Sequence, residues 1–547
     1  MVRRPQRRIV CAALGECVHT TGIQSFLTIA RDEGCDTVFL GPAVPVETLL
    51  DEARECEADI IAVSYRLTPS VAGSLFGELK DRAEQLGLAD KCFLCGGTEP
   101  VVAEAERTGL FDRCFTSSAS ADDVRAYLRG GASGRTQEQF ASTLTDRIVA
   151  RHPRPILRSH FGRPDLDETF EGVRRLAESF LMDVISIGPD QYAQENFFHQ
   201  DEVTAPPPGA GGVPIRTEDD LERIAQAART GNFPLLRCYS GTRDIVRMAD
   251  VLRRTIDNAW CAVPLTWYSQ LDGRSGRSVR QTVAEAQEVM RLHGQWGVPL
   301  ECNEAHQWSM RDAHDALAVA MAFLGAYTAK AMGVRHYVSQ YMLNTPKGTS
   351  PAMDLAKMLA KIELIESLHD ESFVSYREVR AGLVSMPADP LRAMGQLAAS
   401  TVTCMHLSPS ILHIVGYSEA VELIGPEQII DSAKIVEQVI DDCLLGLPNP
   451  ACDLSVEQRK RFLVSDAELI LQAIRDLGAD DCADPLLSAE CIGKAVDVGI
   501  LDAPGLAGCA AGRGLARTEV CHGACVPTDG SPGGHVTERE RLDGLAG

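Results

Sequence analysis

Cys17, His19 and Gly22 share one short segment, with an imidazole two residues from a thiol and three from a glycine. A neutral imidazole is a good ligand for a transition metal. Ser64 and Thr68 place two small hydroxyls just ahead of Pro69, suited to hydrogen-bonding a buried polar group. Gly96 and Gly97 let a ligand approach the backbone closely. Farther on, His160, Tyr192, Gln194, Arg237, Tyr239, Glu304, His306 and Glu419 follow or end apolar runs. They offer groups for acid–base chemistry and hydrogen bonding, although for any one alone the reading as an ordinary loop residue is favoured.

The elements that must position these residues follow from hydrophobic periodicity. Short apolar runs at 8–13, 37–40, 60–64, 92–95 and 114–116 alternate with amphipathic stretches such as 25–33 and 46–57. That alternation predicts a doubly wound parallel sheet over residues 1–130, whose ligand-bearing loops lie at the strand carboxyl ends. The three segments fall in those loops after strands one, three and four. Residues 131–150 are rich in Gly, Ser and polar residues and read as a linker. Eight further strand–helix alternations over 151–449 predict a (β/α)8 barrel. Its strands read 156–161, 184–188, 235–240, 261–267, 300–304, 337–342, 374–379 and 412–416, with an insertion loop at 206–212. The tail, 450–547, holds two helical stretches, 456–477 and 487–499, before a Gly-rich end. It is expected to pack on the barrel.

The chain has 547 residues and a net charge of -23. That balance argues against nucleic acid and anionic membranes as partners. No apolar run is long enough to span a bilayer, and the basic start lacks a signal-peptide apolar region. A cytoplasmic protein with a small-molecule substrate is expected, and a homodimer is compatible. The 18 cysteines are scattered, so reduced thiols are expected rather than a disulfide framework. Cys92 and Cys95 have CxxC spacing in an apolar strand and read as core. Cys521 and Cys525 offer metal ligands with Cys509, but no fourth ligand completes the pattern.

The three N-terminal segments also fit a flavodoxin-like domain with an incidental histidine. Together and in this order, however, they resemble the cobalamin-binding domains of mutases and methionine synthase. The family pattern is Asp-x-His-x-x-Gly, then a Ser/Thr segment, then Gly-Gly. The resemblance implies that His19 is the lower axial ligand of cobalamin cobalt. It also implies that Cys17, Gly22, Ser64, Thr68, Gly96 and Gly97 line the slot for the displaced nucleotide tail. The family aspartate that orients the histidine is Cys17 here, a weaker hydrogen-bond partner.

The rest of the chain resembles the large catalytic subunit of glutamate mutase. The matching stretches are Ser159 to Gly162, Pro189 to Asn196, Gly241 and Thr242, Glu419 and Ala420, Ile492 to Val496, and Gly499 to Pro504. The resemblance implies an adenosylcobalamin-dependent radical carbon-skeleton mutase, with the cobalamin domain fused at the N-terminus and capping the barrel mouth. Glu419 matches the glutamate that holds the adenosyl ribose; its companion lysine is replaced near Val415. The alternatives are a methylcobalamin-dependent methyltransferase, in which a helical cap usually precedes the cobalamin domain, and a non-catalytic cobalamin carrier or sensor.

Glutamate mutases grip a dicarboxylate with three arginines. At the first two positions this chain has His160 and Gln194, and the third falls at Cys238 or Tyr239, beside Arg237. The glutamate that contacts the substrate amine is also absent, with Pro264 near its place. The expected substrate is therefore neither glutamate nor 3-methylaspartate and carries fewer free carboxylates. Contacts are expected from His160, Tyr192, Gln194, Arg237, Tyr239, Glu304 and His306, with His160, Tyr239, Glu304 and His306 as catalytic candidates.

Overall fold

The computed structural model describes residues 7–116, 119, 121–128, 140–202, 212–480, 482–531 and 533–545. Residues 131–139 of the stretch expected as a linker, and all but Gly212 of the 206–212 loop, lie outside them. The chain divides into two compact units, Met1–Arg135 and Thr136–Gly547.

The first unit is a five-stranded parallel sheet. Its strands are β1 (Arg8–Ala13), β2 (Asp36–Phe39), β3 (Ile60–Tyr65), β4 (Cys92–Gly97) and β5 (Arg113–Phe115), in the order β2-β1-β3-β4-β5. Side chains alternate along each strand. On β1 and β3, Val10, Ala12, Ile61 and Val63 join Leu50, Phe76 and Phe93 in one apolar cluster. Ile9, Cys11, Ile60 and Ala62 join Ile23, Leu27 and Val124 in the other. Helix Thr21–Asp32 therefore covers one face, and helices Val46–Glu55, Pro69–Gln85 and Glu99–Thr108 the other. The chain leaves β1 and β3 toward opposite faces, which opens a crevice at their carboxyl ends.

The second unit holds eight parallel strands: β6 (Ile156–Phe161), β7 (Val184–Ile187), β8 (Leu235–Cys238), β9 (Cys261–Val263), β10 (Leu300–Cys302), β11 (His336–Leu343), β12 (Val374–Ala381) and β13 (Ile411–Ile414). Their order runs β8-β7-β6-β13-β12-β11-β10-β9, so β6 pairs with both β7 and β13. A single bridge between Tyr239 and Ala262 spans the remaining gap and makes a nearly closed barrel. The apolar runs expected at 261–267 and 300–304 end early as strands. After Val263 comes Pro264, which has no N–H for the ladder, and Glu304 begins the short helix Glu304–Ser309.

Alternate strands of such a barrel fill its interior in layers. Here one layer is Arg158, Arg237, Glu301 and Glu378, all essentially inaccessible. Arg158 Nε lies 2.9 Å from Glu378, and Arg237 Nη2 lies 2.7 Å from Glu301. Trp260 Nε1 also donates to Glu301 at 2.8 Å. Each charge is paired inside the barrel, as burial demands.

Helix Leu144–Arg151 overlaps the end of the stretch expected as a linker and is capped by Thr143. Its Arg147 is buried and donates to Phe233 O at 2.8 Å, fastening it to the barrel. Helix Asp315–Ala331 is apolar almost all round and is buried on nearly every side, as a helix covered by an outer layer must be. Helix Leu454–Arg475 supplies part of that layer, its Arg459 meeting Asp315 at 3.0 Å. The Gly-rich end, for which no elements were expected from the sequence, forms the hairpin β14 (Thr518–Cys521) and β15 (Ala524–Pro527), then helix Glu538–Leu545.

Candidate functional site

A cleft of about 390 Å³ opens at the strand carboxyl ends of the first unit. Ile23, Phe26 and Ile29 of helix Thr21–Asp32 form one wall, and Ala62, Ser64, Leu94, Gly96 and Gly97 form the other. His19 and Gly22 stand in its lining, both exposed. The loop that carries His19 is pinned at its start. Cys17 N donates to Leu14 O at 3.1 Å, and Cys17 O accepts from Ala43 N at 2.9 Å. Cys17 itself is fully buried behind the histidine, with Sγ 4.0 Å from His19 Nδ1. Ser64 Oγ is buried and has no hydrogen-bond partner, a state that normally signals a missing ligand or water. The two glycines differ. A Cβ on Gly97 would come within 2.9 Å of Tyr65 O, whereas one on Gly96 would meet nothing closer than 3.9 Å. Gly97 is thus required by packing, and Gly96 leaves room on the cleft side. Thr68 is exposed at the start of helix Pro69–Gln85 and is not part of the lining; Arg66 and Thr98 are.

In the second unit, the positions one step above the charged layer carry His160, Tyr239, Asn303 and Arg380. Tyr239 OH lies 3.1 Å from His160 Nε2, and the two rings stack. His413 packs edge-on against His160. Arg158 Nη2 lies 2.8 Å from His413 Nδ1. A guanidinium can only donate, so His413 Nδ1 accepts and Nε2 carries the proton. That Nε2 is buried and unpartnered. Burial first, and then the surrounding arginines, hold the His160, His306 and His413 imidazoles well below the ordinary histidine pKa. All three are therefore neutral near pH 7. Tyr268, at a positive φ of 58°, is pushed up to about 12 by burial and then by Tyr239.

Several residues expected to face a substrate have other occupations. Glu304 is fully buried. It accepts from Leu265 N at 2.8 Å, Thr266 N at 3.0 Å, Trp308 Nε1 at 2.9 Å and the Thr266 hydroxyl. Its carboxylate ties down the loop that follows β9, which is a structural task rather than the expected substrate contact. Arg237 points into the barrel and is held by Glu301, so it is not free for the expected substrate contact. Gln194 donates its side-chain amide to Pro189 O at 2.8 Å. Tyr192 is buried beneath Arg216, whose guanidinium lies 4.6 Å from the ring centre and pairs with Asp190. Glu419 accepts from Gly416 N at 3.2 Å, and burial pushes its carboxyl up. His306 lies 3.3 Å from Gln307 Nε2. Cys509 donates toward Leu271 O, and Cys525 toward Asp312 O. Cys521 instead clusters with Glu519 and His535, their ligand atoms within 4.8 Å of one another.

Comparison with known proteins decides the nature of the first unit. Residues 7–124 match the family model of the B12 binding domain. The first unit is a B12-binding domain. D-ornithine 4,5-aminomutase subunit beta of Acetoanaerobium sticklandii is 30% identical over 104 residues, which is 18% of this chain and 14% of that protein. The chain thus spans about one seventh of that relative's length. A solved cobalamin-binding protein from Desulfitobacterium hafniense DCB-2 is 28% identical over 23% of this chain and 59% of its own, with a TM-score of 0.21.

The cleft of this B12-binding domain fits the group it is named for. It has an exposed imidazole at the entrance, an orphaned hydroxyl within, and a long apolar slot between helix and sheet. His19 would hold the cobalt, and Ser64 with the Gly96 backbone would meet the buried tail. No helix among the described residues is long and apolar enough to cross a membrane. Sequence reasoning missed Arg66, Asn303, Arg380 and His413. The signal for the last two was present, since charged and imidazole side chains interrupt otherwise apolar strands at alternate positions.

Proposed function

We propose that this chain is an adenosylcobalamin-dependent carbon-skeleton mutase, built on the plan of glutamate mutase but acting on a different substrate. One observation carries the reading. A B12-binding domain shares the chain with an eight-stranded barrel whose mouth is lined by neutral imidazoles and a tyrosine, without the paired arginines a dicarboxylate requires. The relation to an aminomutase subunit supports an isomerase of the same broad chemistry. Adenosylcobalamin supplies hydrogen-atom abstraction through homolysis of its cobalt–carbon bond.

The residues of this chain bind and orient. His19 presents a nitrogen from a pinned loop, and Ser64 offers its unpartnered hydroxyl to the slot. Glu419 stands at the barrel mouth, where the resemblance assigns it to the adenosyl ribose. His160 and Tyr239 form a hydrogen-bonded pair that meets substrate without adding charge. The charged layer beneath them gives that pair a rigid floor.

The test is which cobalamin the purified protein retains. Preferential retention of the adenosyl form, with loss of its spectrum on photolysis, supports the mutase. Preferential retention and demethylation of methylcobalamin would support the methyltransferase instead.

A further inference from the structure

Inside the barrel the strand arginines are fully accounted for except one. Arg158 is paired with Glu378, and Arg237 with Glu301, in each case with both partners buried. Around the rim, Arg216 is paired with Asp190, Arg277 with Glu285, and Arg311 and Arg274 share Asp272. Arg380 differs. It sits two residues beyond Glu378 on β12, so strand alternation turns it to the same inner side, one layer nearer the mouth. It is half-buried, and its Nε donates to Ala381 O at 3.1 Å. Among the described residues it makes no ion pair. Glu419, a nearby carboxylate, accepts from Gly416 N and forms no ion pair with Arg380.

The acidic group that feels Arg380 is Glu419, and the imidazoles around it are neutral. His160, His306 and His413 all feel its positive charge; they are kept neutral by burial first, and then by Arg158 at His160 and His413 and by Arg380 at His306. His413 Nε2 adds a buried, unpartnered donor. A guanidinium with both terminal nitrogens uncommitted, beside neutral hydrogen-bonding groups, is arranged for one planar anion. Lys361 also acts on His306, and among the described residues it makes no ion pair, but it is only 1% exposed, whereas Arg380 is half-buried and open to a ligand.

We propose that Arg380 anchors a single carboxylate of the substrate, and that the substrate's other end is uncharged and meets His160 and Tyr239. This rests on the barrel mouth being the substrate site of the mutase reading. It defines the substrate class as monocarboxylates, whereas a dicarboxylate would leave its second charge against neutral imidazoles.

The test uses the full chain loaded with hydroxocobalamin, with butyrate, butyramide and glutarate as probes in saturation-transfer NMR. Butyrate is expected to bind, butyramide to bind at least about tenfold more weakly, and glutarate no better than butyrate. Arg380→Gln is expected to lose at least about tenfold in butyrate affinity, and Arg380→Lys to keep part of it. The cobalamin titration of each variant is read in parallel and should be unchanged, which separates this proposal from the cofactor assignment. Equal binding of acid and amide, full retention of butyrate by Arg380→Gln, tighter binding of glutarate, or no carboxylate binding would each overturn it.

Discussion

Cys17 Sγ lies 4.0 Å from Nδ1 of His19, the thiol fully buried and the imidazole exposed to the cleft. The nitrogen facing the sulfur is the one that a second partner must hold if the other nitrogen is to bind a metal. A thiol does this weakly, and the surrounding cluster is apolar. Cys17→Asp should therefore tighten cobalamin in a spectroscopic titration. The same carboxylate, buried without cofactor, should lower the stability of the apo chain by about 1 kcal/mol or more. Weaker cobalamin binding in this variant would show that the sulfur has a role of its own.

Glu304 tests whether a carboxylate at the barrel mouth is structural. It satisfies two backbone N–H groups, a hydroxyl and an indole. Glu304→Gln turns an amide against at least one of those donors, and should reduce unfolding free energy by about 2 kcal/mol. Chemical denaturation measures this. An unaltered midpoint, with altered binding of small carboxylates, would return Glu304 to the substrate.

Lys361 provides a pH-dependent signature. It is buried, with only 1% of its surface accessible, while its neighbour Lys357 takes both nearby aspartates, Asp315 and Asp354. Burial, and then the charge of Lys357, lower Lys361 to about 7 from an ordinary 10.5. Between those values the unfolded chain holds a proton that the folded chain lacks, so stability from this group rises with pH over that window. It is lost as pH falls through about 7. Relative to Lys361→Met, the wild-type protein should gain about 2 kcal/mol between pH 7 and about pH 9. Parallel pH profiles for the two proteins would refute the assignment.

The elements were largely legible from apolar spacing. The strands at 8–13 and 156–161 coincide with their apolar runs, because each has one or two faces to bury. The cofactor loop was legible because a local segment carries it. The barrel site was less so. A carboxylate at the end of an apolar run does not reveal that the chain folds back after Val263 and offers it two N–H groups. The inward direction of Arg237 depends on where β8 ends, and a shift of one residue reverses it. The terminal hairpin was hidden because its short strands lie among glycines.

Glutamate should not be turned over. The positions expected to hold arginines carry His160 and Gln194, and Arg237 is bound to Glu301. Incubating the protein with adenosylcobalamin and glutamate, and following the mixture by NMR, should show no 3-methylaspartate. Efficient conversion would mean that the clamp is rebuilt from other arginines.

The most direct test of the central claim is electron paramagnetic resonance of the full chain loaded with cobalamin in its cobalt(II) state, prepared with and without 15N labelling. If His19 holds the cobalt, the nitrogen hyperfine pattern must change on labelling the protein, and the protein-derived pattern must vanish in His19→Ala. A pattern that is the same in labelled and unlabelled protein would contradict the account.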